Sequence, residues 1–226
     1  MSILSINKEN YNNNLTINQD LAVLFVPKPA KASRDMILAM KNINVILFDF
    51  VGVLSQKSPT YIPDKIADMI DSVIGDVVDD DAFRSSMVTK LNLSNQEFNK
   101  KLDIIVEKYE AFAPLWEILP LLRKKYRLGI INNGTALTLP QLEKKYKLNC
   151  KFDFFVSSAL VHIKKPDPAI YFYAMDLFDS SPDQCLFIDD SLDNVRAAEE
   201  IGIHAMHWNS NQRLDDLINL ALTQNI

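Results

Sequence analysis

Residues Val45-Ile46-Leu47-Phe48-Asp49-Phe50-Val51-Gly52-Val53-Leu54 place a single carboxylate, Asp49, directly after an unbroken apolar run. Such a run is typical of a β-strand buried on both faces, as in a parallel sheet with helices on either side. Gly52 allows the backbone to turn tightly after the strand. Because ligands of open α/β sheets bind beyond the carboxyl ends of the strands, we expect Asp49 to lie in a site. On this stretch alone, an Asp that only starts the following turn is an equal alternative.

The composition sets the limits for the whole chain. It has 226 residues, 48% of them hydrophobic, and a formal net charge of -5. This size fits one α/β domain with an insertion. The acidic balance predicts neither a nucleic-acid partner nor an anionic membrane partner, and leaves the oligomeric state open. Cys150 and Cys185 have no metal-ligand spacing, and we interpret them as reduced core residues of a cytoplasmic protein.

Four further apolar runs alternate with helical patterns along the rest of the chain. This alternation predicts an α/β fold with a doubly wound, Rossmann-like parallel sheet. The runs interpreted as strands are residues 128–131, 152–156, 185–188 and 203–207, and the helical patterns are residues 115–126, 140–146, 168–177, 192–201 and 214–222.

Between the first two strands the sequence has helical patterns only, after a polar stretch at 55–60 that predicts a loop. The acidic run at 79–81 is interpreted as the start of a helix rather than a metal site. Ser94 and Glu97 have the spacing of a capping box. We therefore expect an N-terminal extension (1–40), an α/β core (41–54 and 115–226) and a helical cap (55–114) placed to act as a lid.

Polar residues recur where the predicted strands end. Because the carboxyl ends of parallel strands meet at one edge, these side chains are expected to converge in one crevice. Carboxylates suit Mg²⁺ when an anionic substrate completes the site, and Lys and Asn suit phosphate oxygens. The residues are Asp49, Asn132, Asn133, Asp189 and Asp190, with Lys165 ahead of a helix start.

This ordered set resembles the haloacid dehalogenase superfamily, whose members are mostly Mg²⁺-dependent phosphatases. The resemblance covers about residues 43–222. Residues 48–54 resemble the first motif of that superfamily, and residues 131–134 resemble the second. Residues 165–168 resemble the third motif, and residues 188–191, with Asn194 and the Ala197-Ala198 pair, resemble the fourth.

The resemblance implies a role for each matching position. Asp49 would be the nucleophile that takes the phosphoryl group, and Lys165 would orient it. Mg²⁺ would be held by Asp49, the backbone carbonyl of Val51 and Asp190, with Asp189 beside them. A small phosphorylated substrate would be bound by Asn132, Asn133, Gly134 and Lys165.

Two positions depart from the pattern of the family. Its phosphatases carry a second Asp two residues after the nucleophile, as general acid and base, where this chain has Val51. Valine can offer its carbonyl to a metal but cannot move a proton, and loss of such a group typically costs about 10²–10⁴-fold in rate. Asn132 replaces the usual Ser or Thr, a milder change because an amide still donates a hydrogen bond.

Three functions are therefore compatible with the sequence. The first is a weakened or specialised phosphatase, best suited to leaving groups that depart without protonation. The second, motivated by Val51, is a protein that binds Mg²⁺ and a phosphorylated ligand or partner without useful turnover. The third is dehalogenase-type displacement at carbon, against which the Asp189-Asp190 pair argues because that chemistry needs no metal.

Overall fold

A computed structural model of the protein describes residues 42–209 and 211–222, so the predicted extension at 1–40 lies outside the described residues. Five parallel strands form one sheet in the order β5-β4-β1-β6-β7. Strand β1 (Val45–Phe48) is central, between β4 (Arg127–Asn132) and β6 (Cys185–Asp189). The outer strands are β5 (Phe154–Ser157) and β7 (His204–His207). All four pairings are parallel, as the sequence predicts.

Helices cover both faces of the sheet because successive side chains of a strand point to opposite faces. Ile46 and Phe48 pack in one hydrophobic cluster, whereas Val45 and Leu47 pack in the other. The first cluster includes residues of α4 (Ala113–Leu122), α5 (Leu139–Tyr146) and α9 (Asn211–Leu222), and the second includes residues of α7 (Pro168–Phe178) and α8 (Leu192–Glu200). A short helix, α6 (Ser158–Val161), follows β5. The doubly wound α/β fold is confirmed.

The segment between β1 and α4 contains three helices, α1 (Lys65–Ile74), α2 (Asp80–Leu91) and α3 (Asn95–Lys108). They pack on one another around a hydrophobic cluster of their own, which includes Ile70, Phe98 and Leu102. Helix α2 begins at the acidic run, where the Asp79 side chain accepts a hydrogen bond from the Ala82 amide, and the capping box of α3 is present.

Residues 55–57 differ from their prediction as a loop. They form strand β2 (Ser55–Lys57), which pairs antiparallel with β3 (Tyr109–Ala111). This two-stranded ribbon connects the helical insertion to the core at both of its ends. The prediction failed because three polar residues carry no apolar periodicity, and their partners lie more than fifty residues away.

Two further findings concern composition and membranes. Both cysteines are free; Cys185 is buried as expected, but Cys150 is exposed, so its assignment to the core was wrong. Among the described residues, no helix has the length and apolar character needed to cross a membrane.

Candidate active site

The side chain of Lys165 joins three strand ends below the crevice. Its ammonium lies 2.6 Å from Asp49 Oδ1 and 2.7 Å from Asp189 Oδ2, and it donates to the Ile131 carbonyl at 2.8 Å. The Lys165 side chain is 1% exposed. An ammonium buried to this degree requires such partners, because burying an unpaired charge is costly. The structure thus brings together Asp49, Asp189 and Lys165.

Asn133 fixes the backbone that carries Lys165. Its side-chain amide donates to the Lys165 carbonyl at 2.9 Å, and its Oδ1 accepts from the Lys165 amide at 2.8 Å. Both ends of the Asn133 side chain are therefore engaged with the backbone of Lys165. Its phosphate-binding role stays a prediction, whereas its contact with Lys165 gives it a structural role that the sequence did not indicate.

Asp189 is held by donors on each side. Besides Lys165, its carboxylate accepts from the Ser191 amide at 2.8 Å and from Asn194 Nδ2 at 3.0 and 3.1 Å. Asn194 belongs to the predicted fourth motif, and its contact with Asp189 gives it a positioning role that the sequence did not indicate. Asp49 and the exposed Asp190 accept fewer hydrogen bonds than Asp189, so their oxygens are more available to a ligand.

Asp190 approaches the site closely because position 52 has no side chain. A Cβ placed on Gly52, whose φ is +101°, would overlap the Asp190 carboxylate. Asp49, Asp189 and Asp190 offer carboxylate oxygens that all lie within 4.8 Å of one another. Gly52 therefore permits the carboxylate cluster that the sequence predicted to hold a metal.

The charges of the site are unbalanced. Three carboxylates face one buried ammonium, which leaves a formal charge of -2 (−3 + 1). Burial raises the pKa of Asp49 to about 7, against the opposing effect of Lys165. Burial, followed by the charge of Asp189, raises the pKa of Asp190. Burial alone would lower the pKa of Lys165, but Asp49 and Asp189 reverse that effect and raise it. A divalent cation would supply the missing charge.

A cavity of about 290 Å³ opens above these groups. Asp49, Lys165, Asp189, Asp190 and Asn194 line its floor, together with Asn132, Asn133 and Val51. Val51 is 41% exposed, so its side chain leaves the position beside the nucleophile apolar but accessible. The opposite wall comes from the helical insertion, through residues that include Asp71 and Tyr109.

The loop after β4 is attached both to the core and to the insertion. The Gly134 amide donates to Ser158 Oγ at 2.9 Å, and its carbonyl accepts from Ser157 Oγ at 2.6 Å. Asp80 of α2 accepts from the Thr135 hydroxyl and, at 3.1 Å, from the Ala136 amide. The sequence gives no signal for the contacts of Asp80, Asp71 and Tyr109, because nothing in an acid near a helix start or in a tyrosine indicates a partner across the fold.

The fold agrees with the comparison with known families. Residues 46–207 match the model of haloacid dehalogenase-like hydrolases. Because this match spans most of the chain, the protein belongs to the haloacid dehalogenase-like hydrolase family.

Individual relatives include hydrolases that act on different bonds. The chain is 28% identical to the pyrophosphatase PpaX of Bacillus cereus (strain Q1), over 74% of this chain and 84% of the relative. A family enzyme from Bacteroides thetaiotaomicron, solved with magnesium and inorganic phosphate, superposes with a TM-score of 0.59 at 17% identity and covers 75% of this chain and 96% of its own. A 2-haloacid dehalogenase from Pseudomonas syringae pv. Tomato DC3000 superposes with a TM-score of 0.58 at 16% identity, and the match covers 79% of this chain and 97% of the dehalogenase.

Proposed function

We propose that this protein is a phosphatase that transfers a phosphoryl group from a small phosphorylated substrate to Asp49 and then to water. The observation that carries the proposal is the Lys165 ammonium, buried between Asp49 at 2.6 Å and Asp189 at 2.7 Å. A carboxylate held in this way at the floor of a cavity is oriented for attack on an electrophile.

The donor set fits Mg²⁺ as the cofactor. Asp49, Asp190 and the Val51 carbonyl would hold the cation, with Asp189 beside them, and oxygen donors are the ligands that Mg²⁺ prefers. The formal charge of -2 and the close approach that Gly52 permits both agree with a divalent cation. When bound, the cation supplies charge neutralisation for the phosphoryl oxygens.

The residues of the chain then have separate tasks. In the first step an Asp49 oxygen forms a bond to phosphorus, and the bond from phosphorus to the leaving oxygen breaks, so the leaving group carries away the electron pair. Lys165 stabilises the negative charge around the phosphoryl group, and Asn132, which lines the cavity, binds its oxygens. Gly134 has no part in this step, because its amide already donates to Ser158 Oγ and it is not among the residues that line the cavity. In the second step water attacks phosphorus, which releases inorganic phosphate and restores the Asp49 carboxylate.

Val51 restricts the range of substrates. No carboxylate at that position can protonate a leaving oxygen or take a proton from the attacking water. Good substrates are therefore those whose leaving group departs as a stable anion, and the second step is slow. The similarity to a pyrophosphatase and to an enzyme solved with magnesium and phosphate supports phosphoryl chemistry.

The insertion is proposed to be a cap domain (55–114) on an α/β core (41–54 and 115–226). This role is supported by the lining of the cavity, because the insertion contributes Asp71, Ile74, Ile105 and Tyr109 to the wall that faces Asp49. A second candidate function, binding of Mg²⁺ and a phosphorylated ligand without turnover, is favoured by Val51 alone. Displacement at carbon is disfavoured by the Asp189-Asp190 pair, which that reaction does not need.

The test is release of p-nitrophenol from its phosphate ester by the purified protein, with Mg²⁺ and with EDTA. p-Nitrophenolate leaves without a proton, so the absence of an acid at Val51 matters least with this substrate. We expect turnover that requires Mg²⁺ and is lost in Asp49→Asn. Binding of Mg²⁺ and phosphate without turnover would favour the second candidate, and halide release from 2-haloacids in EDTA would favour the third.

A further inference from the structure

The wall of the cavity that faces Asp49 contains a polar group unrelated to phosphate binding. Asp71 lies on α1 and Tyr109 begins β3, and both line the cavity. The Asp71 side chain is 12% exposed. Because they line the same cavity as Asp49, this carboxylate and this phenol can contact the organic part of a substrate whose phosphate lies against Asp49.

The hydrogen bonds of Asp71 leave one of its oxygens available. Lys108 Nζ lies 2.7 Å from Asp71 Oδ2, and the Tyr109 hydroxyl donates to the same atom at 2.8 Å. Among the described residues no hydrogen bond reaches Asp71 Oδ1. The Tyr109 hydroxyl already donates its proton to Asp71. Toward a ligand, both Asp71 Oδ1 and the phenol oxygen can therefore act only as hydrogen-bond acceptors.

Lys108 does not neutralise the negative charge that Asp71 presents to the cavity. Its ammonium also binds Asp68 Oδ1 at 2.6 Å, so it is shared between two carboxylates. Of these charged groups only Asp71 is among the residues that line the cavity. A ligand therefore meets a carboxylate there, not the ammonium that supports it.

The other side chains that line the cavity away from the strand ends are apolar, apart from Thr135 and Thr138, whose hydroxyls donate to Asp80 and to the Thr135 carbonyl. Besides Val51, the cavity is lined by five aliphatic or aromatic side chains, Phe50, Ile74, Ile105, Val106 and Leu142. Such a surface favours a carbon-based body. A second phosphate or a carboxylate on the substrate would be placed between apolar side chains and an acid, which is unfavourable on both counts.

We infer that the substrate is a phosphate ester with a largely apolar body that carries a hydrogen-bond donor, best an ammonium group, bound by Asp71. This inference rests on the proposed phosphatase function and names its substrate class. It also separates this protein from its pyrophosphatase relative, because the leaving group of pyrophosphate is itself an anion. Asp71 is the residue that sets the preference.

The experiment compares two phenyl phosphates, one with an aminomethyl group and one with a carboxylate at the para position. We expect kcat/KM with Mg²⁺ to favour the aminomethyl ester by about tenfold or more, because like charges facing each other in a binding site are costly. In Asp71→Asn the ratio should fall by most of that factor. Because each ratio compares the same two esters, the difference between the ratios of the wild type and of Asp71→Asn does not depend on the leaving abilities of the two phenols.

Asp68→Asn is the matched control, since it makes the same charge change on the same lysine outside the cavity. It should keep the preference of the wild type. Equal kcat/KM for both esters in the wild type, which needs no variant to fold, would overturn the inference and leave the phosphatase proposal standing. An equal loss of preference in Asp68→Asn would overturn it too. No turnover of either ester while p-nitrophenyl phosphate is hydrolysed would overturn the inference alone, whereas no turnover of any of the three esters would refute the phosphatase proposal and, with it, the inference.

Discussion

Replacing Lys165 by Met would leave two buried carboxylates without their shared cation. The side chain is 1% exposed and makes contacts of 2.6, 2.7 and 2.8 Å, which Met cannot replace although it fills a similar volume. Breaking a buried ion pair by removing one partner typically costs about 3–5 kcal/mol. We therefore expect Lys165→Met to lower the free energy of unfolding by about this amount at pH 8 in EDTA.

The cost should depend on pH with a definite sign. Burial raises the pKa of Asp49 to about 7 even with Lys165 present, and the loss of the ammonium would raise that pKa further. In the unfolded chain the group titrates near 3.8. Between the unfolded and folded pKa values a folded protein holds a proton that the unfolded chain has released, so its stability falls as pH rises. In the wild type this fall ends near pH 7, whereas in the variant it continues to higher pH. The difference between variant and wild type should therefore be smaller at pH 5.5 than at pH 8.

The assay is urea unfolding followed by circular dichroism, with Lys164→Met as the matched control. Lys164 also binds a carboxylate at 2.6 Å, Asp76, but the two side chains are 43% and 77% exposed. An exposed pair contributes about 0–1 kcal/mol, so this neighbouring variant should stay close to the wild type. Equal stabilities of the two variants at pH 8, or a larger cost at pH 5.5 than at pH 8, would refute the electrostatic account of Lys165.

Further predictions concern the missing proton carrier, the loop after β4 and the metal. Val51→Asp should raise kcat on alkyl phosphates by about 10²–10⁴-fold while changing initial p-nitrophenol release little; an unchanged rate on alkyl esters would contradict this. Asp80→Ala removes the hydrogen bonds to Thr135 and Ala136, so it should lower the free energy of unfolding by about 1–3 kcal/mol and raise KM more than it lowers kcat. Asp81→Ala should change neither the free energy of unfolding nor the kinetic constants. Unfolding curves and initial rates test both variants. Because a proton competes for Asp49 below its pKa of about 7, Mg²⁺ affinity measured by calorimetry should rise about tenfold per pH unit up to pH 7 and then level off, and a pH-independent affinity would be inconsistent with that pKa.

The sequence predicts the floor of the site because local patterns fix it. Apolar runs define the strands, and the polar residues of the site lie where these runs end. Asp49, Asp189 and Asp190 are therefore brought together by two neighbouring parallel strands, β1 and β6. Lys165 belongs to this predictable part, since it precedes a helix start at Pro168 between two strands.

The wall that faces this floor is not predictable in the same way. Asp71, Asp80 and Tyr109 reach the site only because the insertion folds back over the sheet, and Asp80 meets Thr135 across 55 positions of sequence. No local periodicity carries information about such a contact. Strand β2 was missed for the same reason, since its pairing with β3 depends on where the insertion ends.

The most direct test of the central claim is a rapid-quench measurement with p-nitrophenyl phosphate and Mg²⁺, followed by mass spectrometry of the quenched protein. p-Nitrophenolate needs no acid to leave, but hydrolysis of the aspartyl phosphate needs a base that Val51 cannot supply. The account predicts a burst of p-nitrophenol equal to the enzyme concentration, slow turnover afterwards, and one added HPO₃ group on the peptide that contains Asp49. The burst should disappear in Val51→Asp, in which the second step is restored. Turnover by the wild type without a phosphorylated Asp49 peptide would contradict nucleophilic attack by this carboxylate.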